Sequence, residues 1–152
     1  MGKSLKNNVY NLGQVDEINE ALKQYDLTDG KIKLKIRHTF GVITLSEYIA
    51  KDLNLKEEDI ELAKIIALLH DIGRFEQIKV FDDFRDYETL DHAELGVKIL
   101  FEDNLIRNFI EEDTYDNIIL KAIKNHNKLN IEDNLNEQEL LGFIFDNSSN
   151  IS

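Results

Sequence analysis

His70 and Asp71 stand next to each other at the end of the apolar segment IIALLHD, residues 65–71. A charged pair is costly to bury in a core unless it is hydrogen-bonded or binds a metal ion. Gly73 and Arg74 follow directly, and the glycine is expected to let the chain turn away from the preceding helix. Arg74 would then lie close to the pair. We therefore interpret this segment as the centre of a polar site.

The four histidines of the chain all fall at inward positions of predicted helices. A single histidine on an apolar helix face more often hydrogen-bonds to a carbonyl group than binds a metal. Four such residues on four helices of a bundle would converge, and metal centres in helical cores are built in this way. Histidine and aspartate together suit Mn²⁺, Fe²⁺, Co²⁺, Ni²⁺ or Zn²⁺. The candidate ligands are His38, His70, His92 and His126.

Helical periodicity runs through most of the chain and predicts an all-α domain. A first helix is expected to start at Asp16 and to close near Gly30. The segment 75–87 has no steady period, so we interpret it as a loop or short helix that covers the site. The other predicted helices span residues 31–53, 55–71, 89–101, 114–127 and 137–146, and a short turn of helix is expected around 105–110.

Length and composition predict one soluble domain over residues 1–152, with residues 1–15 and 147–152 as loose ends. The formal charge of −12 repels nucleic acid backbones and anionic membrane surfaces, so neither is an expected partner. The absence of cysteine excludes disulfides and thiolate ligands. No apolar run is long enough to span a membrane, which makes a cytoplasmic location the expectation. The oligomeric state is not predicted.

These residues resemble the HD-domain superfamily of metal-dependent phosphohydrolases, which is defined by a His, an adjacent His-Asp pair and a distant Asp. The matching positions are His38, His70, Asp71 and Asp146. Three strings are similar to recurrent motifs of the superfamily, namely LLHDIGRFE at 68–76, DHAELGVKIL at 91–100 and KNHNK around His126. The resemblance implies an all-α helical bundle of the HD-domain and PDEase-like type.

The resemblance also implies roles for these residues. One divalent ion would be bound by His38, His70, Asp71 and Asp146, and a second by His92 and His126 with Asp71 as the bridge. The ions would be Mn, Fe, Co, Ni, Zn or Mg, and a water activated by them would attack phosphorus. Asp71 and Arg74 would act in catalysis, with Arg74 gripping the phosphate. The implied substrate is a nucleotide or another small phosphorylated metabolite.

Alternatives remain open for Asp146, for Arg74 and for the function. Asp146 lies six residues from the last residue of the sequence, so it is either the distal ligand or a solvated carboxylate of a shortened domain. Arg74 either faces a phosphate or pairs with Glu76 or a nearby aspartate. The functional alternative is a catalytically weak or inactive module that binds metal or nucleotide for sensing. A third reading is a bundle whose core histidines are hydrogen-bonded.

Overall fold

The computed structural model describes residues 15–82 and 92–125, which form helices and turns without a β-strand. This part of the chain confirms the all-α prediction. None of its helices is long and apolar enough to cross a membrane. The predicted helix at 137–146 lies outside it. The α-helices are α1 (Val15–Ala21), α2 (Gly30–Asp52), α3 (Glu57–Leu69), α4 (Ile72–Phe81), α5 (His92–Val97) and α6 (Asp116–Asn125), and a π-helical turn (Lys98–Glu102) and a 3-10 turn (Leu105–Asn108) lie between α5 and α6.

The start of α2 is determined by a side-chain cap. The Asp29 carboxylate accepts hydrogen bonds from the backbone N–H groups of Lys31 at 2.7 Å and Ile32 at 3.2 Å. Such a cap satisfies donors that the first helical turn leaves without partners. Gly30 is therefore the first residue of α2, and the prediction that it closes the preceding helix is wrong.

The core forms mainly between α2 and α3. Val42 and Ile43 of α2 and Leu62 and Ile66 of α3 are fully buried, and so is the ring of Phe75 from α4. Burial of each such side chain contributes roughly 1.5–3 kcal/mol. Helix α3 is buried on almost all sides, so its last residues are held firmly where the polar pair follows.

The segment after the polar pair is more regular than predicted. Residues Ile72–Phe81 form the ten-residue helix α4, which ends at Asp82 in a left-handed conformation with φ 58°. Phe75 and Ile78 are buried, but the polar Gln77 is buried beside them and obscures the apolar period in the sequence. Of the two predicted alternatives, a loop or a short helix that covers the site, residues 75–81 are therefore helical, and the buried part of this helix packs in the core. Residues 83–91 lie outside the described part of the chain.

Gly73 is also placed differently from the prediction. It lies inside α4, and none of the described glycines has a positive φ. The chain turns at His70 and Asp71, between the end of α3 and the start of α4. The polar pair itself therefore forms the turn, and Gly73 needs another explanation.

Tyr25 joins the segment before α2 to α4. Its ring is buried and packs on Phe75 with ring centroids 5.3 Å apart. Its hydroxyl group donates to Glu76 Oε2 at 3.2 Å. Burial of the phenol, followed by the negative charge of Glu76 and this hydrogen bond, raises the pKa of Tyr25 well above its ordinary value of 10.0.

The raised pKa predicts alkaline destabilisation. Above about pH 10 the unfolded chain releases the Tyr25 proton that the folded protein retains, so the free energy of unfolding should fall as pH rises. Tyr25→Phe should be about 1 kcal/mol less stable at neutral pH and should lose less stability above pH ~10. Urea unfolding at a series of pH values measures both. The exposed Tyr48 supplies the control Tyr48→Phe, which should keep the wild-type pH dependence.

Candidate metal centre

Three segments of the chain bring polar side chains to one place. His38 lies on α2, His70 and Asp71 form the turn between α3 and α4, and His92 begins α5. His70, Asp71 and His92 are buried, whereas His38 is partly exposed and opens the centre to solvent. The predicted inward orientation of the three histidines is consistent with this arrangement.

The carboxylate of Asp71 is the centre of the group. Its Oδ2 atom lies 3.2 Å from His70 Nε2 and 3.5 Å from His38 Nε2. Its Oδ1 atom lies 3.6 Å from His92 Nε2. One ligand atom from each of His38, His70 and Asp71 lies within 4.8 Å of the other two. Of the six predicted ligands, four are therefore close together, while His126 and Asp146 lie outside the described residues.

A backbone contact determines the tautomer of His70. Its Nδ1 atom is 2.6 Å from the carbonyl oxygen of Ala67, one turn earlier in the chain. A carbonyl oxygen only accepts, so Nδ1 carries the proton and donates to it. The lone pair of Nε2 then faces Asp71 Oδ2. Two lone-pair atoms at 3.2 Å repel each other unless a cation or a proton lies between them, and metal-binding histidines are commonly oriented by such a second hydrogen bond.

The side chain of Asp71 contacts the histidines and does not cap its own helix. Asp71 is the N-cap residue of α4, with φ −107° and ψ 20°, yet its side chain makes no capping hydrogen bond. An aspartate at this position normally caps its own helix and contributes about 1 kcal/mol. Here the carboxylate points to the histidines, so the helix lacks a stabilising interaction that its sequence could provide.

Lys35 is a member of the centre that the sequence prediction missed. Its Nζ atom lies 3.1 Å from Asp71 Oδ2, and its side chain is mostly buried. Lys35 precedes His38 by three residues, so both lie on the same face of α2. This spacing was visible in the sequence, but only the packing of α2 against the turn shows that the lysine reaches Asp71.

Arg74 lies one helical turn after Asp71. Its Nη1 atom donates to Gln77 Oε1 at 3.2 Å, and its backbone N–H donates to the carbonyl oxygen of Asp71 at 2.8 Å. Glu76, the alternative partner considered from the sequence, accepts the Tyr25 hydroxyl group. The role of Arg74 toward a phosphate stays a prediction.

The donor set fits a divalent ion. Two imidazole nitrogens and one carboxylate oxygen are ligands that first-row transition metals accept, and they converge at a buried turn. His38, His70 and Asp71 would hold the ion. His92 lies beside the second oxygen of the same carboxylate, Oδ1, where its Nε2 atom could serve as a further ligand.

Comparison with protein families agrees with this geometry. The sequence model of the HD domain matches residues 36–149, three quarters of the chain. The chain belongs to the HD domain family. The match begins two residues before His38 and includes the pair His70 and Asp71 and the distal Asp146. Comparisons with curated proteins and with solved structures found no match. The family is one of metal-dependent hydrolases, and the cluster is its candidate metal site.

The position of Lys35 leads to a prediction for cation affinity. Lys35→Met removes a positive charge beside the carboxylate. It should tighten Mn²⁺ binding about 3- to 10-fold, because the lysine ammonium group and a bound cation repel each other. Isothermal titration of the metal-free protein with Mn²⁺ measures this change. Lys31→Met is the matched control, since Lys31 is on the same helix but pairs with the exposed Asp82. Weaker binding by the Lys35 variant would contradict the prediction.

Proposed function

We propose that the protein is a metal-dependent phosphohydrolase that cleaves a phosphate ester of a nucleotide or another small phosphorylated metabolite. The main support is the convergence of His38, His70 and Asp71, whose ligand atoms lie within 4.8 Å of one another in an HD domain. A hydrogen-bonded structural core would not need two imidazole nitrogens to face the same carboxylate oxygen. That arrangement suits a cation.

The division of the Asp71 oxygens supports a centre for two ions. Oδ2 faces His38 and His70, and Oδ1 faces His92. A carboxylate that presents its two oxygens to two sets of histidines can bridge neighbouring ions. In this proposal His126 joins His92 at the second ion and Asp146 completes the first. The ions would be Mn, Fe, Co, Ni, Zn or Mg.

A bound divalent ion supplies an acidified water molecule and neutralises charge on the phosphoryl oxygens. The protein orients the ligands and supplies positive charges for the phosphate. The hydrogen bond from His70 Nδ1 to Ala67 selects the neutral tautomer whose Nε2 lone pair is free for an ion, and it holds the ring in place. Lys35, already beside Asp71, supplies a positive charge for a phosphate oxygen, and Arg74 supplies a second cationic group one turn along α4.

The electrostatics favour a small substrate. The protein as a whole carries a formal charge of −12, which opposes the approach of long polyanions and anionic membranes. Lys35 and the bound ions make the centre locally positive. A small phosphate ester can enter through the side where His38 is partly exposed, because it carries little charge outside the centre.

Ligand substitution tests the proposal. We expect the wild-type protein to hydrolyse at least one member of a panel of phosphomonoesters, cyclic nucleotides and nucleoside triphosphates with Mn²⁺, Co²⁺ or Ni²⁺. His70→Ala and Asp71→Asn should lower kcat/KM by about 10³-fold or more, because the ions that stabilise the transition state are lost. Asp52→Asn, an exposed aspartate on α2, should match the wild type.

The outcomes separate the proposal from its alternatives. Metal binding without turnover of any compound would favour a module that binds metal or nucleotide for sensing. Equal and negligible metal content in the wild type, His70→Ala and Asp71→Ala would contradict the metal centre and leave a helical bundle with hydrogen-bonded histidines.

Lys35 provides a second test of phosphate binding. Lys35→Met should raise KM about 10-fold for phosphorylated substrates, because a charged hydrogen bond to the phosphate is lost. The assay should use saturating Mn²⁺, so that a changed metal affinity has no effect. Lys31→Met should keep the wild-type KM. An unchanged KM in the Lys35 variant would assign phosphate binding to other groups.

A further inference from the structure

Gly73 lies against the backbone of His92. A Cβ atom added to Gly73 would be 1.9 Å from the carbonyl oxygen of His92, 2.8 Å from its carbonyl carbon and 3.0 Å from the backbone nitrogen of Gly96. Because the described glycines have no positive φ, the backbone conformation at Gly73 does not require glycine. The requirement is space: α4 and α5 meet here with no room for a side chain.

This contact joins two parts of the candidate centre. Gly73 is two residues after Asp71, in the first turn of α4, and His92 is the first residue of α5. The contact therefore connects the backbone next to one ligand directly to the backbone of another. The distance of 3.6 Å between His92 Nε2 and Asp71 Oδ1 depends on how closely the two helices approach.

We propose that Gly73 is a positioning residue, whose missing side chain lets α5 approach α4 closely enough to hold His92 at the metal centre. This inference rests on the proposed role of His92 as a ligand. A methyl group at Gly73 would have to move the carbonyl of His92 by on the order of 1 Å to reach van der Waals distance. Metal–ligand distances normally lie within about 0.2 Å of their standard values, so a shift of this size carried to the imidazole would weaken its coordination.

Gly96 offers a matched comparison from the other side of the same contact. A Cβ atom at Gly96 would meet Ile72 Cγ2 at 3.3 Å, the backbone nitrogen of Gly73 at 3.5 Å and Ile123 Cγ2 at 3.6 Å. The closest of these is a side-chain methyl group, which can shift by a few tenths of an ångström. Gly96→Ala should therefore be tolerated, although it adds the same methyl group to the same helix contact.

The experiment measures Mn²⁺ binding by isothermal titration without substrate, together with thermal unfolding by circular dichroism. Gly73→Ala should weaken the affinity of the His92-dependent ion about 10- to 100-fold, and His92→Ala should weaken it at least as much. The double variant should bind no more weakly than His92→Ala alone, because both changes remove the same ligand. Gly96→Ala should stay within about 3-fold of the wild type. Gly41→Ala, with nothing within 4 Å of its added Cβ, controls for glycine replacement in a helix.

Several results would overturn the inference. One is a wild-type Mn²⁺ affinity in folded Gly73→Ala. Another is a loss of affinity in Gly96→Ala equal to that in Gly73→Ala. A third is a weaker affinity in the double variant of Gly73→Ala and His92→Ala than in His92→Ala alone. If Gly73→Ala does not fold, Gly96→Val presses on Ile72 and Gly73 from the opposite side. It should weaken the same ion, and an unchanged affinity in this variant would reject the inference. If His92→Ala itself binds Mn²⁺ like the wild type, the proposed ligand role of His92 fails, which is a different result.

Discussion

The structure depends on the burial of one carboxylate. Asp71 is 5% exposed and lies in a turn between two core helices, where an unpaired negative charge would cost several kcal/mol. Lys35, His38, His70 and His92 surround it. His70 is its neighbour in the turn, and the other three come from α2 and α5. The packing of α2, α3, α4 and α5 therefore brings the buried charge of Asp71 into contact with its partners.

Helix α4 lacks a stabilising hydrogen bond at its N-terminus because the Asp71 carboxylate lies in the centre. Asp71 stands at the N-cap of α4 and does not cap it. His70, at the end of α3, uses its own Nδ1–H to bind the last turn of that helix, which leaves Nε2 for the centre. The buried apolar side chains of α3 and the buried Phe75 of α4 pack on both sides of this turn. A well-packed scaffold that holds a polar group away from its most stabilising local interaction is common at functional sites.

The helices and the inward orientation of the histidines could be predicted from the sequence, because both depend on the spacing of nearby residues. Apolar residues at helical spacing indicate helices wherever they occur, and they predicted that His38, His70 and His92 would face inward. The segment after the polar pair was misjudged because Gln77 is buried among apolar residues and hides the period of α4. Roles for His126 and Asp146 stay predictions.

The sequence by itself determined the helical class, the HD pair and the family, since these depend on residue types at fixed spacing. Only the tertiary structure decided which atoms meet. The contact of Lys35 with Asp71, the sharing of the Asp71 oxygens between His38 and His92, and the contact of Gly73 with His92 all join residues far apart in the chain. No local pattern encodes such contacts, because they arise when α2, α4 and α5 pack against one another. Gly73 looked like a turn residue in the sequence, and the packing shows it to be a point of close approach between two helices.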